Sequence, residues 1–232
     1  MSEPQGWARL CAMTLADHWP LFGLRIRTPR LELRVPSDED LVELVELAKA
    51  GIHDPTTMPF TTPWTDVPSP RFEREALQYW WRCRSDFSPE SWDLALTVEH
   101  DGELVGMQNL KAKRFPTLRS AETGSWLGST HQGNGIGKEM RFAMLHFAFE
   151  HLQAEEVTSA AYVDNVASQR VSLATGYEPN GRTLEVRRGE PSEQIRYRIT
   201  PQRWEQHRPH FAIRVEGFDE CREMFGLGGV AR

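Results

Sequence analysis

The chain has 232 residues, of which 39% are apolar; 27 Lys and Arg stand against 33 Asp and Glu, giving a net charge of −6. This composition predicts one large folded domain and excludes a broad basic surface for nucleic acid. The three cysteines are widely spaced and odd in number, which excludes a disulfide framework or a paired-cysteine zinc motif. No apolar stretch approaches the roughly 20 residues of a membrane helix, and no basic start precedes an apolar run as in a secretion signal. We therefore expect a soluble protein of the reducing cytoplasm.

The amino-terminal third begins with an arm and a strand. Residues 1–22, with Trp7 and Leu10 among their apolar side chains, form a predicted arm, and residues 24–35 alternate apolar and polar as a half-buried strand does. Ser37 is a predicted N-cap, and the apolar spacing after it indicates an amphipathic helix that ends near Gly51.

A loop rich in proline and threonine, residues 53–70, comes next, and long loops inside compact domains are often functional. Asp101-Gly102, between two alternating runs, is a strong hairpin signal. The remaining predicted elements are a helix over 70–84, strands over 92–100, 103–111 and 120–127, a helix over 137–152, a strand over 157–163, a helix over 167–174, strands near 184–188 and 195–199, and a helix after Pro201. The end of the tail, Phe225-Gly-Leu-Gly-Gly, is predicted to fray. This order predicts an α/β (α+β) fold with a mixed sheet.

The most informative segment runs from Trp126 to Lys138, where a strand ends, a glycine-rich turn follows and a helix begins. Glycines at 133, 135 and 137 are expected to take positive φ and let a ligand approach the backbone. The free amides and the dipole of the helix start favour an anion such as a pyrophosphate. Glycines that serve only a tight turn and its packing are the alternative, and the glycines alone leave both open.

Two familiar phosphate motifs are excluded. A Walker loop needs glycine and Ser or Thr where this chain has Gln132 and Glu139. A dinucleotide fingerprint needs a third glycine where the chain has Lys138, and that turn is expected after the first strand rather than after several.

The spacing Gln132-x-x-Gly135-x-Gly137 resembles the coenzyme A loop of the GNAT superfamily of N-acetyltransferases. The chain is similar to its RimJ/RimL-like branch in further segments: Arg27-Thr-Pro-Arg-Leu-Glu-Leu-Arg34, Met58-Pro-Phe60, Glu122-Thr-Gly-Ser-Trp-Leu127, Asn165-Val-Ala-Ser168 and Gly176-Tyr177. The resemblance implies a single GNAT-type domain over residues 23–200, whose mostly antiparallel sheet has a splayed strand pair and flanking helices. The arm, 1–22, and a carboxyl-terminal helix and tail, 201–232, lie outside it.

The resemblance also implies the chemistry, which is transfer of an acetyl group from acetyl-CoA, or another acyl-CoA, to a primary amine by direct attack on the thioester. The amine belongs to a protein N-terminus, a lysine or a small molecule. With a succinyl donor, Lys111 or Arg119 would meet the distal carboxylate. No metal is expected, because the histidines form no ligand set; His146 and His151, five positions apart, do not share a helix face as an i, i+4 pair would.

Glu122 is the predicted general base, since its strand faces the cleft in relatives; the alternative is a solvated glutamate in a surface pair. Ser168 is the predicted acid, with Tyr177 second, and the alternative for Ser168 is a helix cap. Asn165 is expected to bond the cofactor arm, or else to be a turn residue. The predicted cofactor-binding set is Trp126, Leu127, Gln132, Gly133, Asn134, Gly135, Ile136, Gly137, Lys138 and Asn165.

The acceptor pocket is predicted to use residues 52–68 and the second helix. Phe60, Trp64 and Trp81 are its expected lining; packing against the sheet is the alternative for Trp81 and the assignment for Trp80. Two other functions stay open: a non-catalytic acyl-CoA sensor or scaffold of the same fold, and an acetyltransferase that modifies an amine antibiotic. The expected partners are acyl-CoA and the amine acceptor, with no nucleic acid or membrane, and relatives of this kind suggest a homodimer.

Overall fold

The structure, a computed structural model, describes residues 13–228; Trp7, Leu10 and the rest of the arm up to residue 12 lie outside the described residues. The helices are α1 (Leu15–His18), α2 (Asp38–Ala50), α3 (Arg71–Ser85), α4 (Phe115–Leu118), α5 (Ile136–His146), α6 (Val166–Ala174), α7 (Pro201–His207) and α8 (Phe218–Cys221). The strands are β1 (Arg25–Arg27), β2 (Leu31–Arg34), β3 (Ser91–His100), β4 (Glu103–Lys113), β5 (Ser120–Leu127), β6 (Glu156–Tyr162), β7 (Glu178–Arg187), β8 (Glu190–Ile199) and β9 (Arg214–Glu216). No helix in the described part is long and apolar enough to cross a membrane.

All nine strands form one sheet in the order β7-β8-β6-β5-β4-β3-β2-β1-β9. Among the strands of residues 13–228 only β5 and β6 are parallel, and they pair over three positions, the last being Glu122 with Thr158. Beyond this point β5 continues beside β4, and β6 continues beside β8, so a split opens between the two strands. The predicted mixed sheet with a splayed pair is therefore confirmed.

The sheet is covered on both faces. On one face, Leu96 belongs to a core with Met144 and Phe147 from the helix after β5. On the other face, Met107 packs with Trp80 and the apolar side of α2. Successive strand residues point to opposite faces of the sheet, so β3 and β4 contribute side chains to both cores. Full burial of each such side chain is worth about 1.5–3 kcal/mol relative to exposure.

The local signals upstream of the split are confirmed. Ser37 caps α2 by accepting a hydrogen bond from the Asp40 amide at 3.1 Å, and the Asp40 carboxylate accepts one from the Ser37 amide at 2.6 Å. Asp101-Gly102 makes the tight turn of the β3–β4 hairpin with φ of 53° and 83°. The predicted strand over 24–35 is two strands, because Pro29, which has no amide, lies in a turn closed by the Thr28 amide on the Leu31 carbonyl.

The tail after α7 is part of the core as far as Leu227, which is 3% exposed, so the prediction that the segment from Phe225 frays is wrong for its described residues. Strand β9 pairs with β1, and Phe225 is fully buried. The Phe225 ring lies 5.2 Å from Trp92 and 5.7 Å from Phe147, between centroids. These contacts join residues far apart in sequence, so no local pattern reveals them.

His146 and His151 lie together, with ring centroids 5.6 Å apart. The expectation that they do not share a helix face is wrong, because residues Phe147–His151 wind as a π-helix, in which positions five apart are one turn apart. Burial lowers the pKa of both imidazoles below the ordinary value of 6.5. The neighbouring His151 imidazole lowers the pKa of His146 further, Glu150 opposes the shift, and the positive charge of Arg208 adds a smaller lowering.

We expect this histidine pair to make the fold sensitive to acid. The imidazoles protonate more readily in the unfolded chain, so their contribution to stability is present above about pH 6.5 and is lost as pH falls through the lower folded-state pKa values. Denaturant unfolding near neutral pH and at about pH 5.5 should show a smaller loss of unfolding free energy in the H146Q/H151Q double variant than in the wild type. Equal losses in the two proteins would contradict this prediction.

Candidate functional site

The site lies where β5 and β6 separate. Because the two strands are parallel, the segments that follow them leave from the same edge of the sheet. The chain runs from β5 through a short turn at Ser129–His131 into the glycine-rich loop and α5. From β6 it turns directly into α6, which packs on α5. The amino ends of two helices therefore flank the open end of the split.

The glycine-rich loop presents backbone amides. Gly133 and Gly135 have φ of 81° and 79°, and Gly135 is the N-cap of α5. The amides of residues 133–137 have no hydrogen-bond acceptor within the described residues, whereas the amides of Lys138 and Glu139 bond the Gly135 carbonyl. Unpaired amides at a helix start favour an anion. We call this set of unpaired amides the amide cradle, or the cradle; left-handed glycines occur in it at two of the three predicted positions.

Gly137 differs from the expectation, since it has no positive φ. It lies in the first turn of α5, where helical dihedrals are required. A Cβ atom there would meet Val171 at 3.6 Å and Leu127 at 3.7 Å, which are ordinary contacts. The conformational reason for glycine therefore applies at 133 and 135 only.

A buried carboxylate anchors the loop to the β1–β2 turn. Glu139, 6% exposed, accepts hydrogen bonds from Thr28 Oγ1 at 2.6 Å and from Arg30 Nε at 2.7 Å. Arg30 Nη1 also donates to the Asn134 carbonyl at 3.2 Å. The Arg30 side chain remains 43% exposed beside the free amides, with its charge paired to the Glu139 carboxylate. Sequence reasoning missed this pair, because its members are more than a hundred positions apart.

Gln132 connects the loop to the strand before it. Its side-chain amide donates to the Leu127 carbonyl at 2.9 Å and to the Ile52 carbonyl at 2.8 Å. The side chain therefore shapes the loop from within. Lys138 is exposed in the first turn of α5.

One peptide of β5 has a defined orientation relative to the split. A Cβ atom on Gly106 of β4 would lie 2.2 Å from the Trp126 carbonyl oxygen, so this oxygen points toward β4. In a trans peptide the amide hydrogen of the next residue points the opposite way. The Leu127 amide is thus directed to the side of β5 on which the split opens.

Glu122 lies at the closed end of the split, on the sheet face covered by α2 and α3. Its Oε1 is 3.3 Å from Lys111 Nζ, and its side chain is 42% exposed. Lys111 is in turn in register with Asp93 of β3, so Glu122, Lys111 and Asp93 form one row across the sheet. Asp93 accepts hydrogen bonds from Tyr79 at 2.9 Å and from Asn109 at 2.8 Å. Glu122 is therefore both part of a surface pair and close to where the strands diverge.

The loop between α2 and α3 brings aromatic side chains over β5. The ring centroid of Trp64 lies 5.5 Å from Phe60, 5.5 Å from Phe72 and 6.0 Å from Trp126. Phe60 and Trp64 are half-buried, as expected of a lining. The structure thus places two of the three predicted lining residues in one cluster.

Trp81 is placed elsewhere. Its indole nitrogen is 3.3 Å from Asp38 at the start of α2, and the residue is 46% exposed. Nothing in this geometry brings it to the aromatic cluster of Phe60 and Trp64. Trp80, in contrast, is buried against the sheet, as its packing assignment predicts.

The turn of the β7–β8 hairpin contacts the loop between α2 and α3, which carries Phe60 and Trp64. Arg188 donates to Asp66 at 2.6 Å and to the Pro55 carbonyl at 3.1 Å, and the guanidinium lowers the pKa of Asp66. Arg187 donates to Asp164 at 2.8 Å and to the Met58 carbonyl at 3.4 Å. The loop between α2 and α3 is therefore closed over the sheet from the side of β6.

The segment after β6 has a clear local role. The Asn165 side chain accepts a hydrogen bond from the Ser168 amide at 3.1 Å, so Asn165 is the N-cap of α6. Ser168 is half-buried in the first turn. Tyr177 is buried, and its hydroxyl lies 2.9 Å from Thr123 Oγ1. Burial raises the pKa of the Tyr177 phenol, which keeps its proton on.

Unpaired amides at a helix start, next to a split between parallel strands, form an arrangement that suits an anionic ligand. Within residues 13–228 no group of three or more His, Cys, Asp or Glu is arranged to hold a metal ion. Residues 30–178 match the family described as "Acetyltransferase (GNAT) domain". Because this match covers more than half of the chain, the protein belongs to the GNAT acetyltransferase family.

Individual relatives agree with this membership. The ribosomal-protein-serine acetyltransferase of Escherichia coli (strain K12) is 30% identical over 77 residues, which are 33% of this chain and 42% of that protein. The fold is similar to that of RimL, a ribosomal-protein acetyltransferase solved with coenzyme A: the TM-score is 0.60 and the identity 20%, over 75% of this chain and 95% of that one. Mycobacterium smegmatis RimJ has a TM-score of 0.60 and 21% identity, over 79% and 90%.

Proposed function

We propose that this protein is an acyl-CoA-dependent N-acetyltransferase that moves an acetyl group to a primary amine by direct attack on the thioester. The observation that carries the proposal is the set of unpaired amides at residues 133–137, at the start of α5. Family membership supports the same conclusion. The donor brings an activated acyl group, and the protein binds the donor and carries out the proton transfers.

The residues fit this donor. The cradle, with Lys138 after it, provides amides and positive charge for the diphosphate. The Leu127 amide points to the side of the split, which is the orientation needed to polarise a thioester carbonyl lying between the strands. Asn165 and Trp126 lie at the same edge. No group in this arrangement requires a metal.

Glu122 is the proposed base. Free amines are mostly protonated at neutral pH, since α-amino groups have a pKa near 8 and lysines one near 10.4. Glu122 is ionisable, half-buried and next to the point where the strands diverge. Lys111 already holds an ammonium 3.3 Å from it, so the carboxylate accommodates a cationic nitrogen. Ser168, at the start of α6, is the proposed proton donor to the leaving thiolate, with Tyr177 second.

The proposed acceptor is a protein amino terminus, because the curated relative and RimL are both named as ribosomal-protein acetyltransferases. Phe60 and Trp64 would line its site, with the loop between α2 and α3 held by Arg188 and Asp66. Lysine side chains and small amines, including antibiotics, are the alternatives. We further propose that the protein works in the cytoplasm as a homodimer, as the resemblance to the RimJ/RimL branch suggests.

Calorimetry and a thiol-release assay test this function. Titration with coenzyme A should release or absorb heat with one site per chain, and acetyl-CoA with a panel of peptides, lysine and small amines should release free thiol. The peptide amino terminus should give the highest kcat/KM. Binding without turnover on any amine would favour the non-catalytic sensor, and an absence of binding would refute the proposal.

A further inference from the structure

Arg141 lies in the middle of α5, and its side chain extends to the split between β5 and β6 from the sheet face that α5 covers. The residue is 2% exposed. Its Nη2 is 3.3 Å from Ser125 Oγ on β5, and its Nη1 is 3.3 Å from Ser159 Oγ on β6. Both serines lie beyond the last β5–β6 pair, Glu122 with Thr158. One guanidinium therefore spans the two strands where they have already separated.

The positive charge of Arg141 is not neutralised by the protein. Among the described residues no carboxylate forms an ion pair with Arg141, and its Nε is buried without an acceptor. The centroid of the Tyr177 ring lies 5.7 Å from the guanidinium carbon, and the arginine partly offsets the rise that burial causes in the pKa of the Tyr177 phenol. The side chain of Glu122, also on β5, points to the opposite face of the sheet. A buried cation whose described polar neighbours are two serine hydroxyls and the Tyr177 side chain, with no carboxylate, is costly, so a second role is expected of it.

The position of Arg141 along the split indicates which part of the donor it would contact. Arg141 is five residues after Ile136, or about 7.5 Å further along the helix axis than the amide cradle. Ser125 is two residues before the end of β5, which is about 6.6 Å inward from the edge. A donor whose diphosphate lies on the cradle and whose arm extends into the split brings its thioester end toward this position. The cradle and the guanidinium thus serve different parts of one molecule.

In the proposed reaction the amine nitrogen bonds to the carbonyl carbon of the thioester and the carbon–sulfur bond breaks. The sulfur leaves with the bonding electron pair as a thiolate and then takes a proton. We propose that Arg141 stabilises this leaving thiolate, with its guanidinium held between Ser125 and Ser159 on the floor of the split. The inference rests on the proposed function. It differs from the acid role of Ser168, because Arg141 provides charge and keeps its own proton.

The thiol of bound coenzyme A reports this interaction without any turnover. Its ionisation is measured by thiolate absorbance, or by the rate of alkylation, across a range of pH in the saturated complex. In the wild type the pKa of the bound thiol should lie at least about one unit below that of free coenzyme A. In R141M this shift should disappear, while R141K, which keeps the charge, should retain part of it. The kcat of R141M should fall roughly tenfold, with the Kd for acetyl-CoA within about threefold of the wild type.

Arg74→Gln is the matched control, because Arg74 is an exposed arginine on α3, and its bound thiol should titrate as in the wild type. A wild-type complex whose thiol titrates as in free coenzyme A overturns the inference, and this needs no variant to fold. An unchanged thiol pKa in folded R141M overturns it too. If the wild type binds coenzyme A and turns over with an unshifted thiol, only this inference fails; if it does not bind, the proposed function fails with it.

Discussion

Glu122→Gln is expected to bind acetyl-CoA as the wild type does and to transfer the acetyl group at least about a hundredfold more slowly. Glutamine has the same shape but cannot take the proton that the acceptor's ammonium must lose before the neutral amine attacks. The substitution also removes the ion pair with Lys111, whose Nζ is 3.3 Å away, but both side chains are close to half exposed, so the fold should lose little. Steady-state thiol release gives kcat, and calorimetry gives the Kd for acetyl-CoA.

Lys111→Gln separates the two roles that Glu122 could have. It removes the same ion pair and leaves the carboxylate in place, so it should keep most of the turnover. If Glu122→Gln and Lys111→Gln had equal and small effects, Glu122 would be only the surface partner of Lys111. The base would then have to be sought elsewhere on this face, where Asp93 is the next carboxylate in the row.

Gly135→Val is expected to weaken coenzyme A binding by about a hundredfold or more, which corresponds to about 2.7 kcal/mol. Gly135 has φ of 79°, a conformation that a β-branched residue rarely takes, so the amides at the start of α5 would turn away from the ligand. The Cβ atom would also lie 3.5 Å from Arg30 Nη2, and the valine methyl groups would extend over the cradle. The strained backbone should lower the unfolding free energy by about 1–3 kcal/mol.

Gly137→Ala provides the comparison within the same loop. Gly137 has helical dihedrals and room for a Cβ atom at 3.6 Å from Val171, and alanine is the better helix former by up to about 1 kcal/mol. Calorimetry should therefore show coenzyme A binding close to wild type, and thermal unfolding should show equal or higher stability. Equal loss of binding in both variants, or no loss in either, would mean that the loop conformation does not hold the ligand.

Much of the architecture could be predicted from local patterns. The capping pair of Ser37 and Asp40, the turn at Asp101-Gly102 and the glycine spacing after β5 act between residues only a few positions apart. Such signals depend on the dihedrals and hydrogen bonds of one turn, so they can be recognised without knowing how the rest of the chain folds. The cradle at Gly133 and Gly135 belongs to this class, and the structure has it where the motif indicates.

Other parts of the site could not be predicted in this way. The Arg30–Glu139 anchor, the Arg188–Asp66 contact and the core position of Phe225 join residues that are distant in sequence. Trp81 shows the converse, since its place in the second helix suggested a lining role and the helix orientation directs it to Asp38 instead. One local error had a local cause, because a π-helical turn changes which of the histidine positions share a face.

The amino-acid sequence by itself determined the order of the longer helices and strands, the conformation of the glycine-rich loop at its two left-handed positions, and the resemblance to the GNAT family. Only the tertiary structure decided which charges meet at the split. Arg141 is one basic residue among many in the sequence, and nothing local marks it. It becomes a buried cation between two strands because β5 and β6 pair for three positions and then diverge over α5, and this geometry depends on the packing of the whole sheet.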